Sequence, residues 1–267
     1  MPELPEVETT VRGLAQVLEG HELRHVETRR EDLRRAFPPD LGQRLTGARV
    51  TRLHRRAKYG LIDTDRGDTM IFHLGMSGSW RIDKPVAPHD HLLIETDEGR
   101  RLALNDPRRF GSVDLVPTEA LDDWPQIAAL GPEPMDIDAK ALRQALAGRT
   151  APIKQLLLDQ ALVAGLGNIY VCEALHRAGI NPKRAGGNIS PGRLQRLVPA
   201  IQAVIEEAIA AGGSTLRDFA SPNGDLGYFS KQFAVYDQEG KACACGGKVG
   251  RIVQGGRSTF YCARCQR

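Results

Sequence analysis

The chain has 267 residues, 41% of them hydrophobic and 26% charged, enough to bury one or two ordinary cores and outside the composition of disordered or fibrous proteins. A formal net charge of +3 is too small to announce a polyanionic partner, but residues 241–267 hold six basic side chains and no acidic one, so a basic tail module follows a slightly acidic body. No apolar stretch approaches the roughly 20 residues that cross a bilayer, and the first residues have neither the basic region nor the apolar core of an export signal, which points to a cytoplasmic protein without a membrane partner.

The first segment reads as a helix. Pro5 suits a first helical turn, Glu6 and Glu8 sit where the helix dipole favours anions, and Val7, Val11, Leu14 and Leu18 recur at helical spacing, so one face is buried. From about residue 48 to 116, short β-prone runs (48–53, 61–64, 69–74, 80–83, 92–96, 101–104 and 112–116) alternate with turn signals such as Asp65-Arg66-Gly67-Asp68. That spacing predicts an antiparallel sandwich. Residues 117–138 are acidic and proline-bearing and read as a domain boundary. Beyond it helices are expected over 139–147, 153–160, 169–178 and 191–211, the last with Leu194, Leu197, Val198, Ile201, Val204 and Ile205 on one stripe. A loop-rich stretch after Gly212-Gly213 leads into the cysteine module.

Four of the five cysteines crowd the tail as Cys243-x-Cys245, sixteen residues, then Cys262-x-x-Cys265, with Gly255-Gly256 midway between β-prone strands. In a reducing compartment that cluster argues for metal rather than disulfides, and four thiolates suit tetrahedral zinc. The first pair has one intervening residue where a zinc knuckle usually has two, so a partly degenerate ribbon held by packing remains open. Arg257 would sit at the ribbon tip. The Gly165-Leu166-Gly167-Asn168 turn precedes an apolar helix, with Asn168 as N-cap candidate; exposed N–H groups there suit a phosphate, and equally a plain helix-turn-helix connection.

Met1-Pro2-Glu3 carries a chemical option. Removal of Met1 would leave Pro2 as a free secondary amine with a pKa of about 8, able to form a cationic iminium with a sugar aldehyde carbon. The same residues also serve as a plain leader into the first helix. Asp106-Pro107-Arg108-Arg109-Phe110-Gly111 puts two arginines and an aromatic in one turn, the composition of a wedge for a DNA minor groove or of a salt-bridged turn.

Taken together, Pro2 to Val7, Arg55-Arg56-Ala57-Lys58-Tyr59, His73-Leu74-Gly75-Met76-Ser77-Gly78, Asp106 to Gly111, Gly165 to Tyr170 and Arg257 to Cys265 resemble bacterial formamidopyrimidine-DNA glycosylases in order and spacing along the whole chain. Leu4, where the related endonuclease VIII group usually has glycine, points to the purine-lesion branch. The resemblance implies an α+β protein: an N-terminal helix with an antiparallel β-sandwich over 1–117, a hinge at 118–138, a helix-two-turns-helix domain over 139–230 and a zinc ribbon over 231–267.

It further implies removal of 8-oxoguanine and formamidopyrimidines from double-stranded DNA, preferably opposite cytosine, and strand cleavage by β,δ-elimination, carried out by a monomer with one structural zinc and no redox cofactor. By resemblance Pro2 attacks C1′, Glu3 is a general acid, Lys58 positions the sugar and Arg257 grips a flanking phosphate. Met76 and Phe110 fill the gap left by the flipped base, Arg108 faces the orphaned cytosine, and His73, His89, Lys154 and Asn168 hold phosphates. Cys243, Cys245, Cys262 and Cys265 hold zinc, Glu6 supports the nucleophile, and a loop within 214–228 reads the base. Two other readings stand beside this one: a sister glycosylase for oxidised pyrimidines, and a non-catalytic DNA-binding zinc protein.

Overall fold

The computed structural model describes residues 1–214, 222 and 227–267. They form two compact units, one of residues 1–128 with 211–228 and one of residues 129–210 with 229–267. The boundary falls inside the acidic, proline-bearing stretch, whereas residues 211–228, expected with the helices, group with the N-terminal unit. Among the described residues no helix is long and apolar enough to cross a membrane.

The first unit opens with helix α1 (Leu4–Leu18), whose apolar stripe of Val7, Val11, Leu14, Val17 and Leu18 is buried. Strand β1 (Leu23–Thr28) and the short helix α2 (Leu41–Leu45) follow. Sequence patterning missed both: β1 carries a register shift after Leu23 and buries Leu23 and Val26 three apart, so it shows no alternation, and α2 is little more than one helical turn. Strands β2 (Val50–Arg56), β3 (Tyr59–Thr64), β4 (Asp68–His73), β5 (Ser79–Ile82), β6 (Asp90–Thr96), β7 (Arg101–Asn105) and β8 (Ser112–Pro117) complete the expected sandwich. Two four-stranded antiparallel sheets result, in the orders β1-β6-β7-β5 and β2-β3-β4-β8. The core joins the α1 stripe to Phe72, Trp80, Leu92, Leu102 and Leu104, each burial worth about 1.5–3 kcal/mol. A one-turn helix, α3 (Pro125–Ala128), ends the unit's first segment.

In the second unit α4 (Ala139–Leu146), α5 (Ile153–Leu157), α6 (Asn168–Arg177) and α7 (Pro191–Ala210) precede a hairpin of β9 (Val249–Gln254) and β10 (Arg257–Cys262). Buried Leu194, Leu197, Val198, Ile201, Val204 and Ile205 form the expected stripe on α7. Gly255 and Gly256 have φ of 55° and 73°, the two left-handed residues that a tight hairpin turn requires. The ribbon's own core is small, Val235, Val249 and Phe260 beside Cys172 of α6.

Candidate functional site

The head of α1 brings acidic groups to the imino acid. Pro2 is buried, Met1 ahead of it is 45% exposed, and Glu3 is the N-cap of the helix. One oxygen of Glu6 accepts the Glu3 N–H at 2.8 Å, and the other accepts the N–H of Ser214 at 2.8 Å. Glu3 and Glu6 are both 2% exposed, and each side chain accepts a backbone N–H at the start of the helix, Glu3 from Glu6 and Glu6 from Glu3. Ser214 opens the segment expected to read the base; residues 215–221 and 223–226 of that segment lie outside the described residues.

Lys58 lies at the tip of the β2–β3 hairpin, where Ala57 adopts a φ of 52°. Arg55 ties this tip to α1, donating to Glu8 Oε2 and to the Ala57 carbonyl, each at 2.9 Å. Burial pushes the Glu8 carboxyl up, but Arg12 and Arg55 outweigh it and hold it below its ordinary value. His73, in register with Tyr59 across the sheet, is held at about 4 by burial first and then by the charges of Lys58, Arg34 and Arg35. Its Nδ1 accepts the Gly75 N–H at 3.1 Å, so at neutral pH the ring is uncharged and carries its proton on Nε2. It can donate one N–H to a phosphate but adds no positive charge.

Two turns bring the wedge residues together. A Cβ on Gly75, whose φ is +61°, would lie 2.3 Å from the Phe110 carbonyl carbon, so only glycine lets the Met76 turn approach the Phe110 turn. Met76 and Phe110 are 37% and 46% exposed, and the Arg108 guanidinium stacks 4.8 Å from the centre of the Phe110 ring. Both turns hang on Asp106, which is fully buried: Oδ1 accepts from Ser77 Oγ at 2.7 Å and Oδ2 from the Gly111 N–H at 2.8 Å. Its main-chain oxygen lies 3.0 Å from His91 Nε2, and the exposed His89 stands two residues earlier. Sequence reading noticed Asp106 only as the start of a turn, since nothing local shows that one carboxylate serves two loops. Asp106→Ala orphans two buried donors at about 1–3 kcal/mol each. The expected result is a Tm lower by about 5–15 °C in differential scanning calorimetry, with a smaller fall for Asp106→Asn, which keeps one acceptor oxygen.

In the second unit the helix α6 begins with Gly167 as N-cap, and Asn168 takes the first helical position instead of the expected cap. Asn168 Nδ2 donates to the Ser258 carbonyl at 2.9 Å. Lys154 is fully buried, and its Nζ donates to Thr259 Oγ1 at 2.6 Å and to the Ser258 carbonyl at 3.2 Å. Both side chains expected on phosphates are thus turned onto β10, just past exposed Arg257 at the ribbon tip. Glu173, which sequence reading overlooked, accepts the N–H groups of Ala234, Val235 and Tyr236 at 2.8–3.0 Å and fixes the approach to the ribbon. A lone glutamate amid the apolar run of α6 was the available signal.

The four tail cysteines converge despite the short first spacing. Their sulfurs all lie within 4.8 Å of one another, with Cys243 and Cys265 at 3.9 Å and Cys245 and Cys262 at 3.5 Å. Tetrahedral thiolates at about 2.3 Å from zinc stand about 3.8 Å apart, so the set fits one structural zinc. Burial pushes the Cys262 thiol up, but the N–H groups of Cys265 and Arg264 and the neighbouring thiols bring it down to about 7.

Comparison with known proteins agrees with this layout. The family model of the formamidopyrimidine-DNA glycosylase N-terminal domain matches residues 1–113, that of its H2TH domain residues 130–220, and that of the zinc finger found in FPG and IleRS residues 244–267. A curated relative from Novosphingobium aromaticivorans, a formamidopyrimidine-DNA glycosylase, is 66% identical over the full length of both chains. Among solved structures, a Lactococcus lactis FPG mutant in complex with a Fapy-dG containing DNA covers both chains fully at a TM-score of 0.92 and 33% identity. The same organism's Fpg bound to abasic-site DNA matches with a TM-score of 0.92 and 34% identity over both full chains.

Proposed function

This chain belongs to the formamidopyrimidine-DNA glycosylase family, and from that membership we propose a repair glycosylase that excises oxidised purines from duplex DNA and then cuts the abasic strand. The reading is carried by the buried Pro2 and Glu3 at the head of α1.

Once Met1 is removed, the Pro2 nitrogen lone pair forms a bond to C1′ as the bond from C1′ to the damaged base breaks and its electrons leave with the base. The proton that the Pro2 nitrogen sheds on bonding to C1′ goes to the departing base; Glu3 then gives a proton to the ring oxygen O4′, the sugar opens and the C1′–N bond becomes an iminium. That cation draws electrons from C2′, so loss of a C2′ proton expels the 3′ phosphate, and a second elimination expels the 5′ phosphate. Lys58 positions the sugar. Glu6 fixes the helix head and links it to Ser214, from which the base-reading segment departs.

The target nucleotide leaves the stack at a cost of a few kcal/mol. Met76 and Phe110 fill the gap, and Arg108, braced on the Phe110 ring, donates to the orphaned cytosine. His73, His89 and Arg257 contact phosphates, Lys154 and Asn168 hold Ser258 so that Arg257 is aimed, and the four cysteines hold the zinc that shapes the ribbon. The protein works as a monomer in the cytoplasm, on lesions preferably opposite cytosine.

Single-turnover excision rates test this reading. We expect 8-oxoguanine opposite cytosine to be released fastest, and opposite adenine about tenfold or more slowly, the equivalent of one lost bidentate base contact at about 1–3 kcal/mol. Faster release of thymine glycol than of 8-oxoguanine would overturn the purine preference.

A further inference from the structure

A concentration of positive charge in the second unit lies beside the zinc ligand Cys265 and apart from the residues assigned to DNA. A cavity of about 500 Å³, open to solvent, is lined by Arg177, Arg193, Arg196, Arg264 and Arg267 around the main chain of Gly179. It sits at the C-terminal end of α6, while Asn168 and the Ser258 contact mark the other end; ten residues at 1.5 Å each put about 15 Å between them.

Folding alone does not account for these arginines. Arg177 is satisfied by a two-pronged pair with Glu207 at 2.7 and 2.6 Å and by its place in the last turn of α6. Arg193 and Arg196 are placed the other way, in the first two turns of α7, where the dipole is positive and disfavours cations. Among the described residues none of Arg193, Arg196, Arg264 and Arg267 pairs with an aspartate or glutamate. Arg193 donates instead to the main-chain oxygen of Arg267, and Arg196 to that of Gly192 at 3.2 Å. Burial first, and then the charges of Arg184 and Arg196, push Arg193 below its ordinary value. With Glu207 set against them, the five guanidinium groups leave an excess of positive charge that no acidic side chain among the described residues balances.

We propose that this cavity is a second phosphate-binding site, which takes the backbone of a DNA segment outside the lesion. The proposal rests on the reading of the protein as a duplex-DNA repair glycosylase. Guanidinium forks match phosphate oxygens in pairs, and a cavity of this volume, open to solvent, suits consecutive phosphates of a polymer lying on the surface. Such contacts read no sequence and add salt-dependent affinity for undamaged DNA.

The test compares full-length zinc-loaded protein with the double variants R193Q/R196Q and R193K/R196K. Affinity for an undamaged duplex of about 40 base pairs is measured over a salt series, in which each lost phosphate contact flattens the slope of log K against log salt by about 0.9. R193Q/R196Q is expected to flatten it by about 1.8 with an unchanged or higher Tm, and R193K/R196K to keep the wild-type slope. An unchanged slope in the glutamine variant overturns the proposal. So does an equal loss in the lysine variant, or a loss accompanied by a lower Tm, which would mark the arginines as structural. Tripolyphosphate separates the sources of phosphate: raising the wild-type Tm while the duplex slope stays the same in both variants would assign the cavity to a free anion and overturn the DNA site. Excision from a short duplex confined to the lesion-flanking pairs is expected to be equal in all three proteins. Failure of wild-type protein in that assay would sink the glycosylase reading itself and is recorded apart from the salt slopes.

Discussion

Protein that retains Met1 is expected to form no covalent adduct with 8-oxoguanine duplex under borohydride and to release no base. With Met1 in place the Pro2 nitrogen is an amide, whose lone pair is delocalised into the carbonyl, so neither attack on C1′ nor an iminium is open to it. Trimmed protein is expected to trap in proportion to turnover. Glu3→Gln keeps the helix head and the nucleophile but loses the proton donor, and excision is expected to fall by about 10²–10⁴-fold, the usual contribution of a positioned general acid. Gel separation of the trapped complex and mass spectrometry of the N-terminus report both results. Normal excision by protein whose first residue is blocked would remove the covalent mechanism and leave the fold assignment untouched.

The second large effect concerns zinc. Elemental analysis is expected to give one zinc per chain. Removal by a chelator, or Cys262→Ser, is expected to expose residues 241–267 to hydrogen exchange and to abolish tight binding of lesion duplex. Apparent zinc binding in small modules is worth about 10–16 kcal/mol, far more than a core of Val235, Val249 and Phe260 can replace. The phosphate contact proposed for Arg257 requires an ordered hairpin, so it is expected to be lost with the metal. The helices are expected to keep their protection, because α7 buries its own stripe. A metal-free protein that still binds and protects its tail would contradict a structural zinc.

Where the chemistry is short-range, the sequence was informative. Cysteine spacing foretold a metal set, Gly255-Gly256 a hairpin turn with Arg257 at its tip, and the α1 and α7 stripes their buried faces, because thiolate reach, left-handed turns and helical periods are properties of a few neighbouring residues. Seven of the β runs were legible for the same reason, while the shifted register of β1 erases its alternation and α2 is too short to carry a period.

What local chemistry leaves open was decided by contacts distant along the chain. Asp106 reaches Ser77 and thereby couples two wedge turns, Glu6 reaches Ser214, Glu173 captures the N–H groups of 234–236, and Lys154 turns away from solvent to bind β10. Each is a charged group taken out of water, a placement that costs several kcal/mol unless partners are supplied. Those partners lie about 30 to over 200 residues away in sequence. The unpaired arginines at the head of α7 follow the same logic in reverse. Their residue types are plain in the chain, but only the packing of α6, α7 and the tail brings Arg193 and Arg196 together with Arg177, Arg264 and Arg267 around one cavity, the crowding of like charge on which the proposed phosphate site rests.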